Sequence, residues 1–235
     1  MKPLYTKGNA AKQWIFEELH EQFGDREGSV LDLCCGCGEI WQGFLEAHPR
    51  LTYHGIDFDR SAIVKAKKIF ERFGKRVTFS FEDAQKTGQE RADVVTAFSA
   101  IEHVYDREAF LKTVHTSLVS GGKAYLNYDV GHFRSHNLKE RLMVPVSQFL
   151  AFIGIQGPYM KRVDDERFQR QAEQVGFKVI ELRKHNMGAL KGFMRGASDE
   201  AVQVWYDFEQ QMGKLYTPKE LDPLFLSTTI VLEKL

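Results

Sequence analysis

Residues 30–41, VLDLCCGCGEIW, constrain the fold of this 235-residue chain more than any other stretch. Val30, Leu31, Asp32 and Leu33 form a short apolar run that reads as a buried strand carrying one acid. Cys34, Cys35, Gly36, Cys37 and Gly38 are all small, and residues 39–48 read as a helix. Strand, small-residue loop and helix together make a nucleotide-binding turn. Glycine lets the backbone bend sharply and approach a ligand where any Cβ would clash. In the dinucleotide loop G-x-G-x-x-G the last glycine lets the helix pack tightly on the strand. Here Trp41 occupies that position, which argues against a dinucleotide.

The rest of the chain continues the alternation. Residues 9–23 read as an amphipathic helix with Trp14, Ile15, Leu19 and Phe23 on its apolar side, preceded by a loop that carries Tyr5. Residues 51–57 form the second strand, and its terminal Asp57 stands 21 residues beyond Gly36. An acid about 20 residues after the glycine loop hydrogen-bonds ribose hydroxyls in such folds, and a carboxylate offers them two acceptor oxygens. Asp59 then reads as the N-cap of a helix over residues 60–73. Strands follow at 76–81, 92–98 and 121–129, with a helix at 106–118 and a Gly-Gly turn before the last of these strands. Helices of about 10–15 residues between strands predict βαβ crossovers and a mostly parallel sheet.

With Asp32 four residues before Gly36, the glycine loop resembles motif I of the class I S-adenosylmethionine-dependent methyltransferases, D/E-x-G-x-G-x-G. The chain departs from it at Cys34, where the family usually has its first glycine. The resemblance covers residues 30–129 and extends more weakly over 164–182, a helix, a Gly176-Phe177 turn and a sixth strand. It implies a Rossmann-like α/β fold: a seven-stranded, mostly parallel sheet with helices on both faces and an antiparallel last strand, here 228–235. It also implies S-adenosylmethionine as cofactor, held by Asp32, Cys34, Gly36, Gly38, Asp57, Phe58, Asp83, Ala84, Phe98 and Ser99. Phe58 is placed to pack on the adenine, Asp83 to accept its amino group and the amide of Ala84 to read a ring nitrogen. The competing use of Asp83 is a helix N-cap.

Composition narrows the acceptor. The 32 basic and 32 acidic residues cancel, and no dense Lys/Arg run appears. Lys65, Lys67 and Lys68 read as a solvated helix face, so a nucleic-acid partner is disfavoured. No apolar stretch reaches the ~18–20 residues of a membrane span, and the first residues lack a signal-peptide core. The three cysteines share one four-residue window without the spacing of a closed zinc site, and neighbours on a strand point to opposite faces. These features predict a cytoplasmic protein with reduced thiols, a monomer or homodimer, without a metal.

A sulfonium carries its own driving force, so such a protein mainly aligns nucleophile, methyl carbon and sulfur and excludes water. A base is needed only for a protonated acceptor. His103, in the loop 99–104 after the fourth strand, is the candidate, since an imidazole with pKa near 6.5 accepts protons at pH 7. Tyr5, Tyr128, His132, Arg134, His136 and Tyr159 are candidates for the acceptor side. Two stretches exceed the minimal fold. Residues 130–163 contain an apolar helix at 144–155, and residues 186–225 contain a helix at 199–213. Phe133, Phe149, Phe152, Tyr159, Phe193, Trp205 and Tyr206 make them an expected apolar cap over a small organic acceptor. The alternatives are a peripheral helical core or dimer surface for these stretches. For the chain they are a non-catalytic cofactor-binding partner, or a nucleic-acid or protein methyltransferase.

Overall fold

Apolar strands and amphipathic helices alternate along this chain because each βαβ unit buries one helix face against the sheet it crosses. The computed structural model describes residues 3–86, 90–133, 138–153, 155 and 159–235. The first half runs α1 (Ala10–Phe23), β1 (Gly28–Leu33), α2 (Gln42–Ala47), β2 (Leu51–Asp57), α3 (Arg60–Ile69), β3 (Val77–Phe81) and β4 (Ala92–Ala97). Next come α4 (Arg107–Ser117), β5 (Leu118–Asp129), α5 (Leu138–Phe152), α6 (Asp165–Val175) and β6 (Phe177–Met187). The described chain ends with α7 (Gly188–Lys191), α8 (Asp199–Leu215), α9 (Pro218–Leu221) and β7 (Phe225–Lys234).

The seven strands form one sheet in the order β3-β2-β1-β4-β5-β7-β6. Strands β1 to β5 pair in parallel, whereas β7 is antiparallel to both of its neighbours, as expected. Alternating residues face opposite layers. Leu31, Leu33, Val95, Ala124 and Leu126 pack with Phe110 and Val114 of α4 and Phe168 of α6. Val30, Val94 and Tyr125 pack with Trp14 and Leu19 of α1, Phe44 of α2 and Ile63 of α3. The strand order reverses between β1 and β4, which opens a crevice at their carboxyl ends, where ligands of such sheets bind.

Several boundaries differ from the sequence expectation for local reasons. The helix expected at 39–48 is a 3₁₀ turn, Glu39–Trp41, followed by α2. Gly38 is left-handed (φ 68°), and the Trp41 amide reaches back to the Gly38 carbonyl at 2.8 Å, a tighter spacing than an α-helix. The helix expected at 60–73 stops at Ile69, and a further 3₁₀ segment to Arg76 is broken at Gly74 (φ 62°). The fifth strand absorbs its Gly-Gly pair: β5 starts at Leu118, and its register against β4 shifts around Gly121 and Gly122. Helix α5 begins six residues before the expected 144, with Pro145 inside it.

The two long stretches both spring from the carboxyl edge of the sheet. One leaves the end of β5, and the other runs from the end of β6 to the start of β7, which is antiparallel. Phe149, Phe152 and Phe193 are exposed. Trp205 and Tyr206 are not cover residues. They are buried with Ala10 and Val202, where they pack α8 onto α1, which is the helical-core alternative.

Candidate functional site

The loop between β1 and α2 is a chain of left-handed residues: Cys34 at φ 59°, Gly36 at 58° and Gly38 at 68°. The usual glycine at the Cys34 position has a physical reason, since a side chain tolerates this conformation poorly. The Cys35 amide donates to the Ile56 carbonyl at 3.0 Å and the Gly38 amide to the Cys35 carbonyl at 3.0 Å, which hitches the loop to the end of β2. Apart from its chain neighbours, a Cβ on Gly36 would meet no atom of the described residues within 4 Å, so the surface above it is open to a ligand. On Gly38 it would press on Phe79 and Phe70 at 3.2–3.3 Å, so this second glycine serves packing.

Asp57 closes the same loop. Its Oδ2 accepts from the Gly36 amide at 2.7 Å and its Oδ1 from the Asp59 amide at 2.8 Å. Each oxygen keeps a second lone pair, enough for two hydroxyl donors. Beside it, Phe58 is 56% exposed, an unusual position for a large apolar ring. Asp83 accepts from the Gln85 amide at 2.9 Å in the turn after β3, so it caps a turn, while Ala84 is buried in the core.

Asp32 faces inward. Trp41 Nε1 (2.8 Å), the Tyr53 hydroxyl (2.9 Å) and the Thr96 hydroxyl (2.7 Å) all donate to its buried carboxylate. Burial pushes this carboxyl up to about 6, against the pull of those donors. The expected cofactor-binding acid is thus the post that holds the loop-to-helix turn on β1. Trp41 supplies by hydrogen bond the close helix–strand packing that a third glycine supplies in a dinucleotide loop.

After β4 the backbone bends at Ser99 (φ 52°), whose amide and hydroxyl donate to Asn127 Oδ1. Phe98 before it packs on Trp41 and Phe16. Glu102 is fully buried. Its Oε1 accepts from the Asp129 amide at 3.1 Å, while Oε2 has no hydrogen-bond partner among the described residues. Burial raises its carboxyl to about 7. His103 is exposed, and its Nδ1–H donates to the Tyr159 carbonyl at 3.2 Å, which leaves the proton-accepting lone pair of a neutral ring on Nε2.

The acceptor-side candidates divide. Tyr159 is brought beside His103 and packs edge-on against Tyr105. Tyr128 is not brought there: its ring is buried against Phe168 and its hydroxyl donates to Asp165 at 2.8 Å, so it is a core residue. Tyr5 is not brought there either. Its ring packs on Phe16 and Phe44, and its hydroxyl meets His20 Nδ1 at 3.1 Å and His48 Nε2 at 3.5 Å, at the amino ends of the strands. Arg134 and His136 lie outside the described residues, as does the side chain of His132.

Sequence reasoning missed four participants. Asn127, a lone amide in an apolar strand, also donates to Ser227, Thr228 and Thr229, and a buried polar group of that kind needs such partners. Asp129 pairs with Lys191 of α7 at 2.8 Å and so ties the 188–224 stretch to β5. Lys12 of α1 sets its Nζ 5.5 Å from the centre of the Phe98 ring. Glu102 lacked any signal beyond its place in the loop.

Residues 31–124 match the sequence model of a family described as a methyltransferase domain. That match covers less than half of the chain. It is 26% identical over 133 residues to the ubiquinone biosynthesis O-methyltransferase of Aeromonas salmonicida, covering 54% of this chain and 52% of that protein. The same enzyme of Pseudomonas aeruginosa is 26% identical over 129 residues, 54% and 53% of the two chains. The chain thus spans about half the length of the curated relatives it matches. Among solved structures, magnesium protoporphyrin IX methyltransferase from Synechocystis, with bound S-adenosylhomocysteine, superposes with TM-score 0.60 at 12% identity, over 95% of this chain and 81% of that one. Phosphoethanolamine N-methyltransferase 2 of Haemonchus contortus, in complex with S-adenosylmethionine, gives 0.60 at 19%, over 95% and 56%. The [4+2]-cyclase SpnF gives 0.60 at 15% identity, over 94% and 80%, so this fold also hosts other chemistry.

Methyltransferase domains use S-adenosylmethionine, and the residues of this chain fit it. Gly36 offers an open approach to its backbone, Asp57 has spare acceptor capacity beside it, and Phe58 presents an apolar face to solvent.

Proposed function

We propose that this chain is an S-adenosylmethionine-dependent methyltransferase acting on a small organic acceptor. One observation carries the reading: the Asp57 carboxylate is bonded to the Gly36 amide, at the lip of a loop open above Gly36. When bound, S-adenosylmethionine supplies an activated methyl group on a sulfonium. The chain's own residues do the rest. Asp57 takes the ribose hydroxyls on its remaining lone pairs, and Phe58 covers one adenine face. Asp83 accepts the adenine amino group and the Ala84 amide meets a ring nitrogen. The backbone of Gly36 passes close to the ligand, and the Ser99 bend ends the crevice over β4. For a protonated acceptor, His103 takes the proton on Nε2 while its Nδ1–H stays on the Tyr159 carbonyl.

A small acceptor is supported by the balanced charge, with 32 basic and 32 acidic residues, and by the two stretches that leave the carboxyl edge, with Phe149, Phe152 and Phe193 at their surface. Among the described residues no helix is long and apolar enough to cross a membrane. The proposed setting is cytoplasmic, as a monomer or homodimer, and the three free thiols agree with it.

The test is turnover. Protein incubated with S-adenosylmethionine and a filtered extract of small metabolites should release S-adenosylhomocysteine faster than protein with cofactor alone. Release driven by RNA or protein fractions instead, or by none, contradicts the reading.

A further inference from the structure

Tyr5, His20 and His48 turn three polar atoms toward one point at the amino ends of the strands, the edge of the sheet opposite Gly36 and Asp57. They come from three separate segments: the stretch before α1, the last turn of α1 and the residue that ends α2. The Tyr5 hydroxyl stands 3.1 Å from His20 Nδ1 and 3.5 Å from His48 Nε2, and the two ring nitrogens are 3.1 Å apart. The imidazole planes cross at 68°, so the rings meet nitrogen to nitrogen and not face to face.

The far nitrogen of His48 fixes what the near one offers. Nδ1 lies 3.0 Å from the Gly24 carbonyl, which can only accept, so Nδ1 carries the hydrogen and Nε2 of the neutral ring presents a lone pair. A backbone carbonyl holding the far N–H is how proteins orient a metal-binding imidazole. Burial lowers the His48 imidazole below its ordinary value and the His20 ring adds to this, against the Gly24 bond and the charge of Asp25. The ring is thereby kept in its neutral, cation-binding form. Two carboxylates make the surroundings negative: the field of Asp25 reaches His48 and that of Glu17 reaches Tyr5.

Ligands held at about 2.0–2.1 Å in a tetrahedron lie about 3.3 Å from one another. The separations here, 3.1, 3.1 and 3.5 Å, straddle that spacing. A hydrogen-bonded cluster uses two hydrogens for the same contacts, one from His20 and one from Tyr5, whereas a cation engages all three atoms at once. Imidazole donors suit zinc and its neighbours, not magnesium or calcium, which take oxygen shells. Among the described residues no three His, Cys, Asp or Glu side chains gather around a metal position, so the third donor here is a phenol. The cysteines, whose spacing argued against a zinc site, take no part. His20 is exposed, which leaves water access to the point where the three atoms meet.

We propose that Tyr5 Oη, His20 Nδ1 and His48 Nε2 bind one divalent transition-metal ion of the zinc type, with water in the fourth position. Burial holds the Tyr5 phenol above its ordinary value and Glu17 adds to this, so the metal-free protein keeps the phenol proton. The ion displaces that proton to solvent as the oxygen–metal bond forms. Bound there, it pins the segment before α1 to the amino edge of the sheet. The site stands independently of the methyltransferase reading.

The experiment titrates zinc, and separately magnesium, into tag-free wild type, His20→Ala and Tyr5→Phe by calorimetry in two buffers of different ionisation heat. Zinc should bind wild type at one equivalent and raise its melting temperature, and magnesium should do neither. His20→Ala alters an exposed helix residue and should melt like wild type without metal, yet lose about a hundredfold in zinc affinity. Tyr5→Phe keeps the ring on Phe16 and Phe44, should lose about tenfold, and should release about one proton fewer on binding. Wild type that binds no zinc overturns the proposal, as does zinc held equally tightly by H20A, which places the ion elsewhere. Affinity and proton release unchanged in Y5F remove the phenol and overturn the three-donor site.

Discussion

The indole N–H of Trp41 donates a 2.8 Å hydrogen bond to the Asp32 carboxylate, tying the turn after the glycine loop to the strand before it. Trp41→Phe keeps the ring and deletes the donor. One of three partners of a buried carboxylate is lost, at a cost of about 1–3 kcal/mol. The lost bond stabilises the ionised form, so Asp32 should titrate above its present value of about 6. The destabilisation should therefore be larger at pH 7.5 than at pH 5, where the carboxyl is already protonated. Denaturant midpoints of both proteins at the two pH values check this, and equal differences would contradict it.

Asp57 has two duties that two substitutions separate. Asp57→Ala removes the acceptor for the Gly36 and Asp59 amides as well as for a ribose, so both stability and S-adenosylhomocysteine affinity should fall. Loss of a charged acceptor costs about 1.5–3 kcal/mol of binding, a ten- to hundredfold weaker Kd. Asp57→Asn retains one carbonyl acceptor and should recover more of the stability than of the affinity. Calorimetry and thermal melts on the same samples measure both, and full affinity in either variant removes Asp57 from the site.

Gly36→Ala tests the open surface above the loop. Its left-handed φ of 58° makes any Cβ cost about 1–2 kcal/mol in the ligand-free protein. Among the described residues, chain neighbours aside, no atom lies within 4 Å of that Cβ, so no clash adds to the strain. A ligand approaching the backbone does meet it, so affinity should fall by much more than the modest loss of melting temperature. A variant that melts lower but binds normally would show that the ligand passes elsewhere.

Glu102 sets a pH dependence of stability. Its carboxyl is raised by burial from 4.5 to about 7, with the Asp129 amide bond opposing the shift. Between those values the fold holds a proton that the unfolded chain has released, so stability falls as pH rises through the window. The slope is about 1.4 kcal/mol per pH unit and levels off above pH 7. Glu102→Gln removes this dependence. The stability of wild type relative to E102Q should therefore be higher at pH 5 than at pH 8, by at most about 3 kcal/mol. Urea unfolding at both values measures it, and parallel pH curves would contradict the assignment.

The alternation of strands and helices and the position of the glycine loop were legible because short-range rules set them. Gly36 and Gly38 demand left-handed backbone, and the spacing to Asp57 follows from one βαβ unit. What escaped depends on contacts between distant residues. Nothing local distinguishes Tyr128, whose hydroxyl finds Asp165 across the core, from a pocket tyrosine. Tyr5 reaches His48 only because α2 returns to the amino ends of the strands. Lys12 reads as a solvent-facing helix lysine until β4 brings Phe98 under it. Trp205 and Tyr206 follow the same pattern, since helix α1 and not an acceptor completes their surroundings.

The central claim is that the crevice beside Gly36 and Asp57 takes an adenosyl ligand. Thermal melts of the wild-type protein with S-adenosylmethionine, S-adenosylhomocysteine and NAD test it most directly, because a ligand that binds only the fold raises its melting temperature by mass action. The account predicts a concentration-dependent rise with both adenosyl ligands, reduced in Asp57→Ala, and none with NAD. A shift from NAD alone would contradict it.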